Sequence, residues 1–188
     1  MAFHSYRLKS AQVLLGIIFF GILAAVEFFG VPEASPNSPL LRVSAVTSKS
    51  TTTATVLRVI DGDTIEVDIS GTKTRVRLIG INTPEVVDPR RPVECFGQEA
   101  SHRAKEILSG NAVLLVSDSS QGELDKYGRS LFYVYLSDGT FFNDLMLKEG
   151  YAHEYTYRTP YRYQAQFKAS EQVARSQHVG LWEKGRCL

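Results

Sequence analysis

Past residue 54 the chain alternates apolar and polar side chains in three short bursts, at residues 55–60, 64–69 and 72–79. All three are rich in Val, Ile and Thr, and a period of two in such runs predicts strands. Asp61-Gly62 joins the first to the second and Ser70-Gly71 the second to the third; both pairs favour tight turns, so a meander is predicted. Residues 81–95 read as a loop stiffened by Pro84, Pro89 and Pro92. The pattern then changes period. Ala100, Ala104, Ile107 and Leu108 fall on one face of a helix over 98–108, with Gly110 as its stop. Strands are predicted again at 112–116 and 131–136, on either side of the polar stretch SDSSQGELDKYGRS. Asp138-Gly139 turns into a short helix over about 143–149, ended by Gly150. Thr159-Pro160 reads as the N-cap and first position of a final helix running to about His178, closed by Gly180.

Three strands, a helix, two strands and two trailing helices is the element order of a β-barrel plus α architecture. The fold expected is a five-stranded OB-fold barrel with three helices. A small β-sandwich is the alternative, disfavoured by the helix content and the low strand count.

The amino-terminal pattern is different in kind. Arg7 and Lys9 precede an apolar run at 11–26 broken only by Gln12, and Glu27 is followed by Phe-Phe-Gly-Val. Basic flank, apolar stretch and polar sequel predict export of everything downstream. The run approaches the roughly 20 residues of a membrane span. Large residues stand where a cleavage site would be, so a signal anchor is favoured over a cleaved signal. The expected layout is therefore a basic flank (1–10), an apolar helix acting as anchor or signal (11–31), a flexible Pro/Ser/Thr-rich tether (32–53) and one folded domain (54–188). Such a protein sits in the cell envelope with its domain outside the cytoplasm, or is secreted if the leader is removed.

Charge narrows little. The whole chain has 21 Lys and Arg against 20 Asp and Glu, a net +1, and from residue 53 on the counts are 17 and 18, a net −1. Binding to nucleic acid must then come from a local cluster of charge. Cys95 and Cys187 are the two cysteines. In an oxidising compartment they can pair; two free thiols is the other reading. No Cys-x-x-Cys offers a zinc knuckle.

The candidate chemistry lies at strand ends. Asp61 and Asp63 flank Gly62 in VIDGDTIEV, which alone is a weak metal signal. HExxH, GxSxG and a phosphate-cradling glycine loop are all missing from the sequence, and the four histidines are scattered without ligand spacing. Hydrolysis would need carboxylate, guanidinium and metal. RVRLIGINTPE supplies Arg77, Asn82, Thr83 and Glu85 where the third strand ends, and DKYGR brings Arg129 to the start of another. A glutamate can activate water, an oxygen-held divalent cation can neutralise phosphate, and guanidinium forks can hold developing charge on phosphoryl oxygens.

IDGDT, RLIGINTPE and DKYGR, in this order and spacing, resemble the thermonuclease (staphylococcal nuclease-like) family, as do FGQEAS, DGTFFNDLMLKEGYA and VGLW. The resemblance runs from about residue 56 to 182. It implies an OB-fold nuclease that uses Ca²⁺ to cut DNA and RNA, single-stranded or frayed regions first, leaving 3′-phosphates, and acting as a monomer. On the matching positions it implies Asp63, Asn82 and the Thr83 carbonyl as metal ligands, with Asp61 nearby. Glu85 is implied as the base, or as the group orienting the attacking water, and Arg77 and Arg129 as the phosphate clamp. Lys126 and Tyr127 are implied to hold a terminal phosphate, and Tyr155 and Tyr157 to wall the base pocket. Asn82 stands where the family usually has an aspartate, which predicts weaker calcium binding. The alternative is a non-catalytic OB module binding single strands or a protein partner.

Overall fold

The computed structural model describes residues 50–187. The alternating runs become β1 (Thr51–Asp61), β2 (Thr64–Ile69) and β3 (Thr72–Leu78), followed by a two-residue strand β4 (Ile81–Asn82). Helix α1 (Gly97–Leu108) leads to β5 (Ala112–Val116) and β6 (Ser130–Leu136). The chain ends with α2 (Phe142–Lys148), β7 (His153–Glu154), α3 (Gln164–Gln177) and a 3-10 turn, Gly180–Trp182. The expected OB-fold is present: β1, β2, β3, β6 and β5 close a five-stranded barrel, and three helices accompany it. All barrel neighbours are antiparallel except β3 and β6.

Period-two alternation works as anticipated. Ile65 and Val67 from β2 and Val76 and Leu78 from β3 point into the barrel with Val113 and Leu115 from β5, all buried. Ala100, Ala104 and Leu108 of α1 close on this core, and Phe142, Met146 and Leu147 of α2 are equally buried. Asn143 ties the layers together. Its side-chain amide donates to Ile79 O (2.9 Å) while its Oδ1 accepts the Val134 N–H (2.9 Å). A buried amide with both ends satisfied fixes where β3 leaves the barrel relative to β6.

Several boundaries differ from expectation. β1 begins at Thr51, inside the stretch read as tether, because the β-branched Thr51 to Thr53 pair with Val116, Leu115 and Leu114 of β5. Thr159-Pro160 does not cap α3, which starts at Gln164 after Tyr163. Asp118 explains the delay: its Oδ2 accepts the Arg162 N–H (2.8 Å) and the Tyr133 hydroxyl (2.6 Å). That holds residues 161–163 in a turn ahead of the helix, with Tyr161 buried in the core. Tyr161 lies against Gly80, where φ is +80° and an added Cβ would sit 2.6 Å from the ring. Tyr161 is buried and Tyr163 packs edge-on against Tyr133, both ahead of the helix.

Cys95 and Cys187 form a disulfide, with Cα atoms 5.6 Å apart across a separation of 92 residues. Closing so long a loop restricts the unfolded chain, and the Cys95→Ser/Cys187→Ser pair is expected to lose about 2–5 kcal/mol of stability in urea unfolding. Among the described residues no helix is long and apolar enough to cross a membrane. The expected apolar helix at 11–31 and most of the 32–53 tether lie outside the described residues.

Candidate active site

Register brings the strand ends together. In the β2–β3 ladder Thr64 pairs with Arg77, and the Leu78 N–H donates to Asp63 O (3.0 Å). The Asp61-Gly62-Asp63 turn therefore stands directly beside the end of β3. Gly62 permits the next approach, since a Cβ there would lie 2.7 Å from Thr83 Cγ2. With no side chain in the way, the Thr83 N–H donates to Asp63 Oδ2 (3.0 Å). Thr83 itself is buried, and among the described residues its hydroxyl has no hydrogen-bond partner.

Arg77 is buried in the middle of this junction, not solvated on an edge. Nη1 donates to Leu78 O and Ile81 O, both at 2.7 Å, which fixes the plane of the guanidinium. Nη2 faces Asp63 Oδ2 (3.0 Å) and donates to Asn82 Oδ1 (3.0 Å). Asp63, Arg77, Asn82 and Thr83 thus form one contact group.

Arg129 joins the group from β6, whose parallel pairing of Ser130 with Val76 starts it beside the last residues of β3. Its Nη1 donates to Thr64 Oγ1 (3.2 Å), and that hydroxyl donates to Asp63 Oδ1 (2.9 Å). Asp125 orients it: Nε and Nη2 of Arg129 both lie 2.7 Å from Asp125 Oδ2, while Oδ1 accepts the Tyr127 and Arg129 N–H groups. Burial opposes ionisation of Asp125, but the Arg129 backbone and guanidinium outweigh it, and the carboxyl titrates below its ordinary range.

Glu85 follows Pro84 on the loop after β4. Its Oε1 accepts the Val87 (2.8 Å) and Asp88 (3.1 Å) N–H groups, so the carboxylate is oriented by its own backbone. Nearby, the Asp61 carboxyl is pushed up to about 7 by burial, with the negative charges of Asp63 and Glu85 adding to the effect. Carboxylates crowded in this way create a demand for positive charge. Among the described residues no three Asp, Glu, His or Cys side chains form a ready cage for a metal. The donors gathered here are carboxylate, amide, hydroxyl and backbone carbonyl oxygens, a set suited to a hard cation completed by water.

The remaining candidates form a second, exposed group beside Arg129. Lys126 Nζ lies 4.9 Å from the Tyr127 ring and 5.9 Å from that of Tyr157, and the Arg129 guanidinium lies 5.3 Å from Tyr127. Tyr155 and Tyr157 are 6.3 Å apart, centroid to centroid. Tyr127, Tyr155 and Tyr157 are 70%, 43% and 49% exposed, far more than packing aromatics need. Arg90 and Arg91 are exposed on the 84–95 loop and paired with Asp88. Thr64 and Asp125 were not singled out by the sequence. Asp125 carried a signal in its spacing, an Asp four residues before Arg129, whereas nothing in the residue pattern reveals that Thr64 bridges Asp63 to Arg129.

A cavity of about 420 Å³ lies elsewhere, lined by Pro84, Glu94, the disulfide and Trp182.

Comparison with known proteins gives the family. Residues 75–184 match the model of the staphylococcal nuclease homologue family. A thermonuclease of Staphylococcus hyicus is 34% identical over 171 residues, covering 91% of this chain and 98% of that protein. A thermonuclease of Staphylococcus intermedius is 41% identical over 129 residues, 69% of this chain and 75% of that one. Endonuclease YncB of Bacillus subtilis is 39% identical over 137 residues, 72% of this chain and 64% of its own. The chain belongs to the staphylococcal nuclease homologue family and is a thermonuclease-like phosphodiester hydrolase.

Proposed function

We propose that the protein is a Ca²⁺-dependent nuclease, held at the outer face of a membrane by residues 11–31, that cuts DNA and RNA to 3′-phosphate products. The observation that carries this reading is the junction of Asp63, Arg77, Asn82 and Thr83, with Arg129 linked to it through Thr64 and Glu85 two residues past Thr83 in the chain.

Asp63, Asn82 and the Thr83 carbonyl would hold the ion, and the unpartnered Thr83 hydroxyl beside crowded carboxylates suits an oxygen-rich cation site. Bound there, calcium neutralises charge on a phosphate oxygen. The residues do the rest. Glu85, its Oε1 occupied by two N–H groups, uses its other oxygen to take a proton from water as the water oxygen attacks phosphorus. The bond from phosphorus to the 5′-oxygen breaks, and the phosphate stays on the 3′-oxygen. Arg77 and Arg129 hold the charge that builds on the phosphoryl oxygens, and Arg129 also hydrogen-bonds the leaving oxygen. Lys126 and Tyr127 receive a neighbouring phosphate. Tyr155 and Tyr157 stack a base, worth roughly 1–3 kcal/mol per base, which favours single-stranded or frayed substrate.

Incubation with denatured DNA, in calcium and then in chelator, tests the reading. Cutting in millimolar calcium that stops with chelator is expected; tight binding without any cutting would favour a non-catalytic OB module. Asn82 brings no negative charge to the ion, and its oxygen is shared with Arg77. Asn82→Asp is therefore expected to shift the calcium dependence of cleavage to lower concentration, about tenfold if the added charge is worth about 1.4 kcal/mol. No shift would remove residue 82 from the ligand set.

Export is supported by the amino-terminal pattern and by the closed Cys95–Cys187 bond, which suits an oxidising compartment. Protease treatment of intact cells is expected to digest the domain; complete protection would contradict an outward-facing anchor.

A further inference from the structure

We propose that Glu94 is a positioning residue for Glu85, and that the Cys95–Cys187 bond holds it there; this rests on the reading of Glu85 as the group that activates water. Glu85 and Glu94 bridge the two ends of a proline-stiffened loop by a reciprocal pair. The Glu85 N–H donates to Glu94 Oε2 (2.9 Å), and the Glu94 N–H donates to Glu85 O (2.9 Å). The first bond uses a side chain that is 45% exposed, so water competes for both partners. The loop's salt bridges, Asp88 with Arg90 and Arg91 and Arg91 with Glu94, are local and their arginines are exposed, so they do not anchor Glu94 to the rest of the fold.

Packing supports one side of the loop: Gly97 lies so close that an added Cβ would sit 2.6 Å from Val86 Cγ1 and 2.9 Å from Pro84 O. Behind Pro84, Glu94 and Cys95 lies the cavity of about 420 Å³, with His153, Trp182 and Cys187 on its far side. The disulfide spans the two sides, one residue past Glu94. Its other end is well founded: the Leu181 N–H donates to Gly150 O (2.9 Å), and the Trp182 ring lies 3.7 Å from the Arg175 guanidinium on α3. On the near side Phe96 stacks on Tyr151 at 5.4 Å and receives the Arg186 guanidinium at 5.5 Å. The covalent bond fixes Cys95 against the carboxy-terminal tail, the fixed Cys95 restricts Glu94, and Glu94 sets the backbone from which the Glu85 carboxylate projects. A misplacement of a reacting group by about 1 Å can cost a hundredfold in rate, so a modest hydrogen bond can matter more to turnover than to stability.

The test uses the full chain with its disulfide formed, saturating calcium and a soluble chromogenic phosphodiester. Glu94→Ala is expected to lower kcat about tenfold or more with KM changed less than about twofold. Glu94→Gln retains an acceptor oxygen and is expected to restore kcat to within about twofold of wild type. The Cys95→Ser/Cys187→Ser variant, assayed where circular dichroism shows it folded, is expected to lose kcat as Glu94→Ala does, with little further loss when the two changes are combined. An unaltered kcat in Glu94→Ala, or a glutamine that fails to rescue, would overturn the positioning role while leaving the nuclease reading intact. Absence of hydrolysis by the wild-type protein would overturn both.

Discussion

Arg77→Lys is expected to lower kcat on denatured DNA by about a hundredfold or more, although the charge is kept. Removing one fixed donor to a developing oxyanion costs about 10²–10³ in rate. Lysine cannot reproduce the geometry here. The guanidinium meets Leu78 O, Ile81 O, Asn82 Oδ1 and Asp63 Oδ2 at once, with two different nitrogens. An ammonium on a flexible stem satisfies only part of that set and presents a point charge where a planar fork is needed. Some stability is lost as well, because Asp63 is buried and keeps a weaker partner. Measuring kcat in saturating calcium, at a temperature where both proteins are folded, separates the two effects. A lysine variant within a few-fold of wild type would mean that Arg77 is a structural ion-pair partner of Asp63 and nothing more.

The second large effect is expected at Glu85. Glu85→Gln should lower turnover by about 10²–10⁴, the usual contribution of a positioned base. Nucleotide binding should stay within a few-fold. The selectivity follows from the hydrogen bonding. Both loop N–H groups, from Val87 and Asp88, fall on Oε1, and a glutamine can offer its amide oxygen to the same pair. The loop keeps its shape while the free oxygen becomes an NH₂ unable to accept a proton. Equal losses in binding and turnover would argue that the charge of Glu85 serves ligand binding and not proton transfer.

What the sequence made legible is what local chemistry controls. Alternation over 64–69 and 72–79 located two strands, and Asp-Gly between 60 and 63 located their turn. Together these bring Asp63 beside Arg77 once Thr64 pairs with Arg77. The barrel followed from element order, and the clustering of candidate residues followed from the barrel. Illegible features depend on distant partners. Thr159-Pro160 has the local chemistry of a helix start, but Asp118 captures the Arg162 N–H from 44 residues away and delays the helix to Gln164. The β4–β7 ladder is two residues deep and has no periodicity to detect. Glu94 looks like any exposed loop glutamate until its bonds to Glu85 are seen, and sequence alone left the two cysteines either paired or free.

In the proposed mechanism, loops far apart in the chain address a single scissile phosphate. A crystal structure of the protein with calcium and a nucleoside 3′,5′-bisphosphate tests it most directly. The ion is expected against Asp63 and the Thr83 carbonyl, one phosphate between Arg77 and Arg129 with Glu85 facing it, and the base against Tyr155 and Tyr157. A nucleotide seated away from that junction, for instance on Arg90 and Arg91 with no phosphate shared by Arg77 and Arg129, would contradict it.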